Sequence, residues 1–503
     1  MLPMTTAVCC LRVVSLLFTI TSALATPVGG DGKTAEAAAV HWSSFGWLEM
    51  AGGDNACDVK ASGAVGDNST DDTLAIQRAI DSCRKAHPVA AVVVLSGPAV
   101  YRVTASVELG SNLTLLIDKE TTLLSVKAPP APCNETVARQ SGTTCVSVPP
   151  YTPMPVAQNP RCPTLYWPKL DTSVLCGSNL TNVAILGADQ NTSVFDGGGI
   201  PWYWRWKLGL DGPRLFEVAW SSNITLAHAT FQNSGGWTVH PTFCDGVLAH
   251  HIRILNPRWV GNTDGFDPDS CTNVRLHDSI IDTGDDGISI KSGNTSVEEM
   301  AARAGRNIPH TKQTIQRPSK DIHIYRTKVL SRNFCLGSAT YGGIMNLLME
   351  DCELGDDKGS MPWAIKYKSH QSYAGALVNH TYRRLKVGKM APTWQQPRAG
   401  FFISIELRYH PLIPNRSCHV NLETLEGDCP IFKDITFEDI AVAGAMRAGD
   451  INGFKGDLLK GLSFKNVTFA KKPVGGWSCG YTDLASFSAV DVAPPLSCRS
   501  GEA

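Results

Sequence analysis

Short apolar runs and alternating segments, rather than helical periodicity, dominate the hydrophobic pattern of this chain. Residues 91–95 and 113–117 are apolar runs rich in Val, Leu and Ile, which is typical of buried strands. Residues 69–80 instead have helical spacing after a candidate N-cap at Ser69 or Thr70. The pattern predicts strands through most of the chain and one short helix near its N-terminal end.

From about residue 220, a polar or glycine corner followed by an alternating strand recurs. The corners at Gly246 and Asn273 are 27 residues apart, and those at Asp321 and Gly343 are 22 apart. This spacing predicts an all-β fold, a single right-handed parallel β-helix in which each coil packs on its neighbours and the short helix caps the N-terminal end. The recurring segments are residues 222–226, 245–249, 272–276, 320–324, 342–346, 433–437 and 460–464.

Amino-acid composition and charge limit the kinds of partner and the number of domains that we expect. The chain has 503 residues, of which 43% are hydrophobic and 18% charged, with a formal net charge of −1. A near-neutral chain without a basic tract predicts no nucleic-acid partner. We expect an irregular lead-in at 26–55, one β-helical domain at 56–503, and a monomer. The insertions at 127–165 and 294–318 are expected to be loops beside a groove.

Residues 1–25 have the pattern of a secretory signal peptide. Arg12 precedes an apolar run at 13–20, and Ala23-Leu24-Ala25 provides a cleavage site. Because the apolar run is too short to span a bilayer, we expect a secreted, extracellular protein and no membrane partner. Sequons that fit a glycoprotein lie at Asn68, Asn112, Asn134, Asn179, Asn191, Asn223, Asn294, Asn379, Asn415 and Asn466.

Cysteine usage agrees with an oxidising compartment. Removal of residues 1–25 leaves 14 of the 16 cysteines, an even number without C-x-x-C metal pairs. The simplest interpretation is a set of disulfides. The candidate local pairs are Cys335 with Cys352 and Cys479 with Cys498.

Candidate chemistry is concentrated in two acidic clusters, N-T-D-G with Asp264 and G-D-D-G with Asp285 and Asp286. Asp264 and Asp285 are 21 residues apart, about one coil, and equivalent positions on successive coils lie about 4.8 Å apart. Three neighbouring carboxylates raise the pKa of at least one of them, which prepares a general acid beside a base. The alternative is three solvated turn aspartates.

A calcium site formed by the same aspartates with Asp267 and Asp269 is a further alternative, but the spacing from Asp267 departs from the EF-hand pattern. We therefore expect neither a metal nor a cofactor. The sequence contains no G-x-S-x-G, H-E-x-x-H or Walker pattern, so it gives no support for a serine hydrolase, a zinc protease or a nucleotide-binding protein.

The motifs resemble those of the polygalacturonase family, glycoside hydrolase family 28, within the pectin-lyase-like superfamily. The resemblance covers most of the chain after the signal segment, and two acidic motifs in this order make it specific. It is carried by D-V-K-A-S-G-A-V-G-D at 58–67, D-G-G-G-I-P-W-Y-W at 196–204, W-T-V-H-P at 237–241, N-T-D-G at 262–265, G-D-D at 284–286 and I-K-S-G at 290–293.

The resemblance implies a hydrolase that cleaves α-linked galacturonan or another pectic polysaccharide with inversion. Asp285 would be the general acid, while Asp264 and Asp286 would activate the attacking water. The chemistry of glycoside cleavage agrees, because it needs one protonated and one ionised carboxyl group. Asp285 would then hold its proton to higher pH than an isolated aspartate.

Two departures from the family pattern affect substrate binding. The histidine of the family's G-H-G segment is absent, and Arg332 is the candidate to replace it. The family's R-I-K motif reads Ala364-Ile365-Lys366, which keeps the lysine but loses an arginine able to bind a carboxylate with two hydrogen bonds. Lys368 follows on the same strand face. These changes favour a less acidic sugar beside the cleavage point, as in rhamnogalacturonan or substituted galacturonan.

The remaining candidates for substrate binding are Asn262, His240, Lys291 and Tyr409. Each of the last three has a structural alternative: a histidine bonded to backbone, a solvated lysine and a partly buried strand aromatic. Two other functions also stay open. One is a pectic polysaccharide lyase on the same fold, and the other is a catalytically weak carbohydrate-binding relative. The sequence leaves internal and chain-end cleavage equally open.

Overall fold

Successive strands of this chain pair in parallel, coil upon coil, and form the predicted right-handed parallel β-helix. The structure is a computed structural model. It describes residues 53–127, 136, 173–203, 212–296, 314–359, 361–370, 373, 375–392, 399–406, 419–427, 429–453 and 459–496. The predicted signal peptide and most of the lead-in lie outside these residues. Within the described residues, no helix has the length and apolar character needed to cross a membrane.

The first sheet wraps two sides of the solenoid, because most coils contribute two consecutive strands that meet at a corner. Among the described residues its strands are Ala56–Asp58, Asp67–Asp71, Ala91–Leu95, Ala99–Val103, Leu113–Ile117, Thr121–Ser125, Thr181–Gly187, Ser193–Asp196, Ser222–Ala227, Thr230–Gln232, Asp245–His250, Arg253–Leu255, Thr272–His277, Ile280–Asp282, Ser319–Tyr325, Lys328–Val329, Ile344–Glu350, Glu353–Leu354, Ala376–Lys389, Ile431–Gly444, Leu462–Phe469 and Ser488–Val492.

The second sheet forms the remaining side and is continuous through two bridges at Phe266, which pairs with Val239 on one coil and Ile288 on the next. Its strands are Val107–Glu108, Leu175–Ser178, Phe216–Ala219, Val239–Thr242, Ile288–Ser292, Phe334–Thr340, Trp363–Lys368, Phe401–Glu406, Arg447–Asn452 and Gly475–Gly480. Two antiparallel pairs lie outside both sheets: Asn294–Ser296 with Thr314–Gln316, and Val420–Asn421 with Glu426–Gly427.

Apolar side chains at equivalent positions stack along the interior. Every second residue of a strand points inward, and the in-register pairing places those residues directly above one another. One such buried row is Val93, Leu115, Ile185, Leu226, Ala249, Leu276, Ile324, Met349, Tyr382, Phe437 and Phe464.

The polar corners found in the sequence are left-handed turns between coils. Asn223 has φ 55°, and its side-chain amide donates to Asn182 Oδ1 of the preceding coil at 2.7 Å. Asn182 donates in turn to Asn112 Oδ1 at 2.9 Å. Asparagine, aspartate and glycine tolerate positive φ better than other residues, which explains why the corners recur as these types.

The predicted capping helix is Thr73–Ala86, and its buried face covers the first coil. Its N-cap is Asp72 and not Ser69 or Thr70, because residues 67–71 form a strand. The Asp72 carboxylate accepts hydrogen bonds from the backbone N–H groups of Val65 and Gly66. A disulfide between Cys57 and Cys83 ties the helix to the first strand.

The cysteine prediction is only partly confirmed. Cys176, Cys429 and Cys479 are also disulfide-bonded, and Cys498 lies outside the described residues. The predicted Cys335–Cys352 pair is wrong, since both are buried free thiols. Cys352 packs in the apolar interior, whereas Cys335 lies between the inward-facing Phe334 and Leu336 and therefore points to the outer face of the second sheet. Cys244 and Cys271 are likewise free and buried.

Candidate active site

The acidic clusters lie on two successive coils, just before each coil enters the second sheet at Phe266 and Ile288. Phe266 and Ile288 are completely buried in the core. Strand alternation therefore turns Asp267 and Ser289, their sequence neighbours, toward the outer face. In this alternating pattern the apolar side chains of each coil pack in the core, and the polar side chains between them lie on the outer face.

Backbone pairing places Asp264 opposite Asp286. The N–H of Gly265 donates to the carbonyl of Asp286 at 2.9 Å, and the N–H of Phe266 donates to the carbonyl of Gly287 at 3.0 Å. The coil repeat here is consequently 22 residues, one more than the predicted distance from Asp264 to Asp285. Asp285 instead adjoins the turn before Asp264, where its Oδ2 accepts the backbone N–H of Asn262 at 2.9 Å.

The glycine after each aspartate is required by this close approach. A Cβ on Gly265 would lie 2.4 Å from the Gly287 carbonyl oxygen, and a Cβ on Gly287 would lie 2.5 Å from Val329 Cγ1. Larger residues would push the coils apart and separate the carboxylates. The D-G pairs in the sequence therefore reflect packing between coils as well as turn formation.

Lys291 joins two of the carboxylates. Its Nζ lies 3.3 Å from Asp264 Oδ2 and 3.2 Å from Asp267 Oδ2, and it donates to Ser289 Oγ at 2.6 Å. The ammonium also lies 4.5 Å from the ring centroid of Trp237, a cation–π distance. Lys291 is therefore not the solvated surface lysine of the alternative interpretation. Its positive charge lies beside Asp264 and Asp267, two of the carboxylates of the alternative calcium site, and would repel a cation bound there.

Asp285 is held by Arg332. The Arg332 Nη1 lies 2.9 Å from Asp285 Oδ1, and Arg332 Nη2 donates to the Gly284 carbonyl at 3.2 Å. Both side chains are partly exposed. The residue predicted to replace the family's histidine thus contacts the carboxylate predicted to be the general acid.

Asp286 is held by Lys368, whose Nζ lies 2.5 Å from its Oδ2. Lys366, which the sequence analysis emphasised, points to the same outer face but has its Nζ 3.8 Å from the ring centroid of Trp363. Ala364 is completely buried. Period-2 alternation along Trp363–Lys368 identified Lys368 as a neighbour of Lys366, yet only the packing of coils shows that Lys368 reaches a carboxylate.

Burial and neighbouring charges separate the carboxylates electrostatically. Burial, together with the charge of Asp267, raises the pKa of Asp264 well above its usual range. Burial also raises the pKa of Asp267 despite Lys291. For Asp286, Lys368 and Lys291 outweigh burial and lower the pKa. The sequence analysis placed a raised pKa on Asp285; the structure raises the pKa of Asp264 and Asp267 and gives Asp285 an arginine partner.

His240 lies in line with Asp267 on the outer face of the second sheet, because Val239 pairs with Phe266. It is completely buried, its Nδ1 is 3.1 Å from Glu217 Oε1, and its Nε2 is 3.1 Å from Thr242 Oγ1. Glu217 also forms a salt bridge with Arg214. These partners are side chains and not the backbone of the structural alternative, and sugar contact by His240 stays a prediction. The buried Glu217 was missed because nothing in its local sequence distinguishes it from other strand glutamates.

Of the predicted site residues, Asp264, Asp285, Asp286, Lys291 and Arg332 therefore come together at one edge. Asn262 contributes its backbone N–H there, and Lys366 lies on the same sheet face. Tyr409 lies outside the described residues. The arrangement offers carboxyl groups with opposed pKa shifts beside several cations, which suits acid–base chemistry on an anionic ligand.

Comparisons with known proteins agree with this geometry. The model for glycosyl hydrolases family 28 matches residues 166–308, and that for rhamnogalacturonase A/epimerase, pectate lyase-like proteins matches residues 56–128. A probable polygalacturonase from Vitis vinifera is 27% identical over 495 residues, covering 97% of this chain and 88% of the relative.

Two solved structures share the fold. A polygalacturonase from Erwinia carotovora ssp. carotovora has a TM-score of 0.61 at 20% identity, covering 86% of this chain and 96% of the other. An exopolygalacturonase from Thermotoga maritima has a TM-score of 0.59 at 19% identity, covering 86% and 88%. Residues 166–308 thus match the model of glycosyl hydrolases family 28, and most of the chain is similar to polygalacturonases in sequence and in fold.

Proposed function

We propose that this protein is a secreted, monomeric enzyme whose β-helical domain, residues 56–503, hydrolyses α-linked galacturonan or a related pectic polysaccharide with inversion. The observation that carries the proposal is the meeting of Asp264, Asp285 and Asp286 at one sheet edge beside Lys291, Arg332 and Lys368. Carboxyl groups supply the proton and the base, while the cations suit a polymer that carries carboxylates.

In the proposed reaction, Asp285 donates a proton to the glycosidic oxygen as the bond to the anomeric carbon breaks. Asp264 and Asp286 orient a water molecule on the opposite face of the sugar, and one of them accepts its proton as the oxygen attacks. Inverting enzymes keep the two carboxyl groups about 6.5–9.5 Å apart to leave room for this water. Lys368, which keeps Asp286 ionised, supports its role in binding that water.

Arg332 must release Asp285 before this step. The guanidinium lies 2.9 Å from Asp285 Oδ1, whereas a general acid has to face the glycosidic oxygen. We propose that the carboxylate of the bound sugar competes for Arg332 and so frees the Asp285 side chain to contact that oxygen.

Product analysis on homogalacturonan and on rhamnogalacturonan tests the function. The wild type should generate reducing ends on one of them, and Asp285→Asn should lose about 10²–10⁴-fold in kcat while keeping its fold by circular dichroism. The first product, observed by NMR, should have the inverted anomeric configuration. If Asp285→Asn kept most of its activity, Asp285 would not be the general acid. An unsaturated product that absorbs in the ultraviolet would indicate a lyase instead of a hydrolase.

A galacturonide with an aryl leaving group separates the acid from the water-activating residues. Such a leaving group departs without protonation, so Asp285→Asn should regain most of its activity on it, whereas Asp264→Asn and Asp286→Asn should stay impaired. Recovery in Asp264→Asn alone would transfer the acid role to Asp264, whose pKa is raised.

Secretion is tested by expressing the full chain in a eukaryotic host. The mature protein should accumulate in the medium and begin at Thr26, the residue after the A-x-A site. Retention in cells with an intact N-terminus would contradict this part of the proposal. The mass from light scattering would test the monomer.

A further inference from the structure

A histidine cluster occupies a corner of the first sheet, away from the carboxylates. His228, His250 and His251 each offer one ligand atom, and these atoms all lie within 4.8 Å of one another. His250 is the last residue of strand Asp245–His250, and His228 and His251 are corner residues on successive coils with φ of 56° and 50°. At the same corner of later coils the residues with positive φ are Asp278, Arg326, Asp351, Arg384 and Asp439, so histidine is used only on these two successive coils among those compared.

The three imidazoles pack against each other without a carboxylate among them. The Nδ1 atoms of His250 and His251 are 3.0 Å apart. The ring centroids of His228 lie 5.2 Å from His250 and 5.0 Å from His251. The Nε2 of His228 is buried and has no hydrogen-bond partner among the described residues, which is costly for a polar atom unless a ligand satisfies it.

We propose that His228, His250 and His251 bind one divalent transition-metal ion of the zinc, copper or nickel class. Imidazole nitrogen is a preferred ligand for these ions. A tetrahedral zinc with Zn–N bonds of about 2.0–2.1 Å holds its ligand atoms about 3.3 Å apart. The His250–His251 spacing is already near this value, and all three ligand atoms lie within 4.8 Å of one another.

The protonation states favour this ligand set. Burial, with the neighbouring rings, lowers the pKa of His250 to about 3, and burial also lowers the pKa of His228. Both rings therefore keep a lone pair at neutral pH, as a metal ligand requires.

A second grouping, His251 with His277 and Asp278, is a poorer candidate. The Asp278 carboxylate is already held by Arg326, with both nitrogen–oxygen distances at 2.7 Å, and by His277 at 2.6 Å. A metal ion there would have to displace the guanidinium. The neutral three-histidine set has no such competitor.

Binding to the full chain, expressed without a polyhistidine tag and stripped with EDTA, tests the site. Isothermal titration calorimetry with zinc chloride should give one site per chain, and the Tm should rise with zinc concentration. Calcium chloride should do neither, because neutral imidazoles are poor ligands for a hard cation.

The decisive variants are His228→Asn and His251→Asn, since asparagine tolerates the positive φ and removes only the ligand. Each should weaken zinc binding at least tenfold and abolish the rise in Tm. His323→Gln is the matched control, because His323 is a half-buried histidine of the same sheet that pairs with Glu350. Undiminished zinc binding in the variant that carries both His228→Asn and His251→Asn would overturn the proposal, and so would an equal loss of binding in His323→Gln. It would also be overturned if the wild type bound no zinc at about 1 mM, a dissociation constant that corresponds to only weak binding.

Discussion

At the scale of the residue, the site works through paired charges of opposite sign. Lys291 balances Asp264 and Asp267, Arg332 balances Asp285, and Lys368 contacts Asp286. Because Asp264, Asp267 and Asp286 are buried, the neighbouring charges shift their pKa values more than they would in water. These three aspartates can therefore hold different protonation states at one sheet edge.

Replacing Lys368 by methionine should move the acid limb of the pH profile. Lys368 helps to lower the pKa of Asp286, so its loss raises that pKa and protonates Asp286 at a higher pH. The acid limb of kcat/KM should shift upward by about 1–3 pH units, the effect expected for a close opposite charge.

The control is Lys386→Met, which alters an exposed lysine of strand Ala376–Lys389. Its profile should match the wild type. An unchanged acid limb in Lys368→Met would mean that ionisation of Asp286 does not limit the reaction.

At the scale of the element, the corners carry both structure and candidate modification sites. Asn112, Asn223 and Asn379 head sequons, yet each lies at positive φ in the ladder between coils. The sequence analysis took all three as signs of glycosylation and placed Asn223 also in a recurring corner segment. A sequon gives no indication that its asparagine also holds a left-handed turn, because that role depends on the asparagine of the neighbouring coil.

Asn223→Gln and Thr225→Val both destroy the Asn223 sequon, but only the first removes a ladder contact. Asn223→Gln should lower the free energy of unfolding by about 1 kcal/mol more, since it loses the bond to Asn182 and strains the turn. Denaturant unfolding of the two variants measures the difference. Equal losses would show that the ladder contributes no stability at this corner.

Element boundaries were the weaker part of the sequence-based prediction. Helical spacing correctly predicted the capping helix but placed its start at Ser69 or Thr70, whereas Thr73–Ala86 begins after Asp72. Residues 67–71 pair as a strand with Ala99–Val103. Pairing with a distant strand is a tertiary interaction, and it overrode a plausible local N-cap.

At the scale of the whole molecule, stability comes from contacts between neighbouring coils. Each inner residue packs above and below an equivalent residue, so a solenoid behaves as a chain of nearest-neighbour units. The coil that carries Asp264 is supported by the strands on either side of it. A defect in that region is therefore expected to weaken the site as well as the fold.

Leu276→Ala should lower the free energy of unfolding by about 2–5 kcal/mol, because it opens a cavity in a fully buried row. Hydrogen exchange should quicken most in the adjoining coils. Leu248→Ala, the same chemical change on the partly exposed outer face of the neighbouring strand, should cost much less. Similar losses in both variants would contradict the stacking model.

The sequence by itself predicted the solenoid, the resemblance to family 28 and the catalytic candidates, because strand alternation, corner residues and the two acidic motifs are local features. The tertiary structure alone decided which atoms meet. It set the 22-residue register that opposes Asp264 to Asp286, brought Lys368 to a carboxylate, and buried His240 against Glu217 and Thr242. It also separated Cys335 from Cys352 and gathered three histidines at one corner. These outcomes depend on how one coil packs on the next, and no single segment of sequence contains that relation.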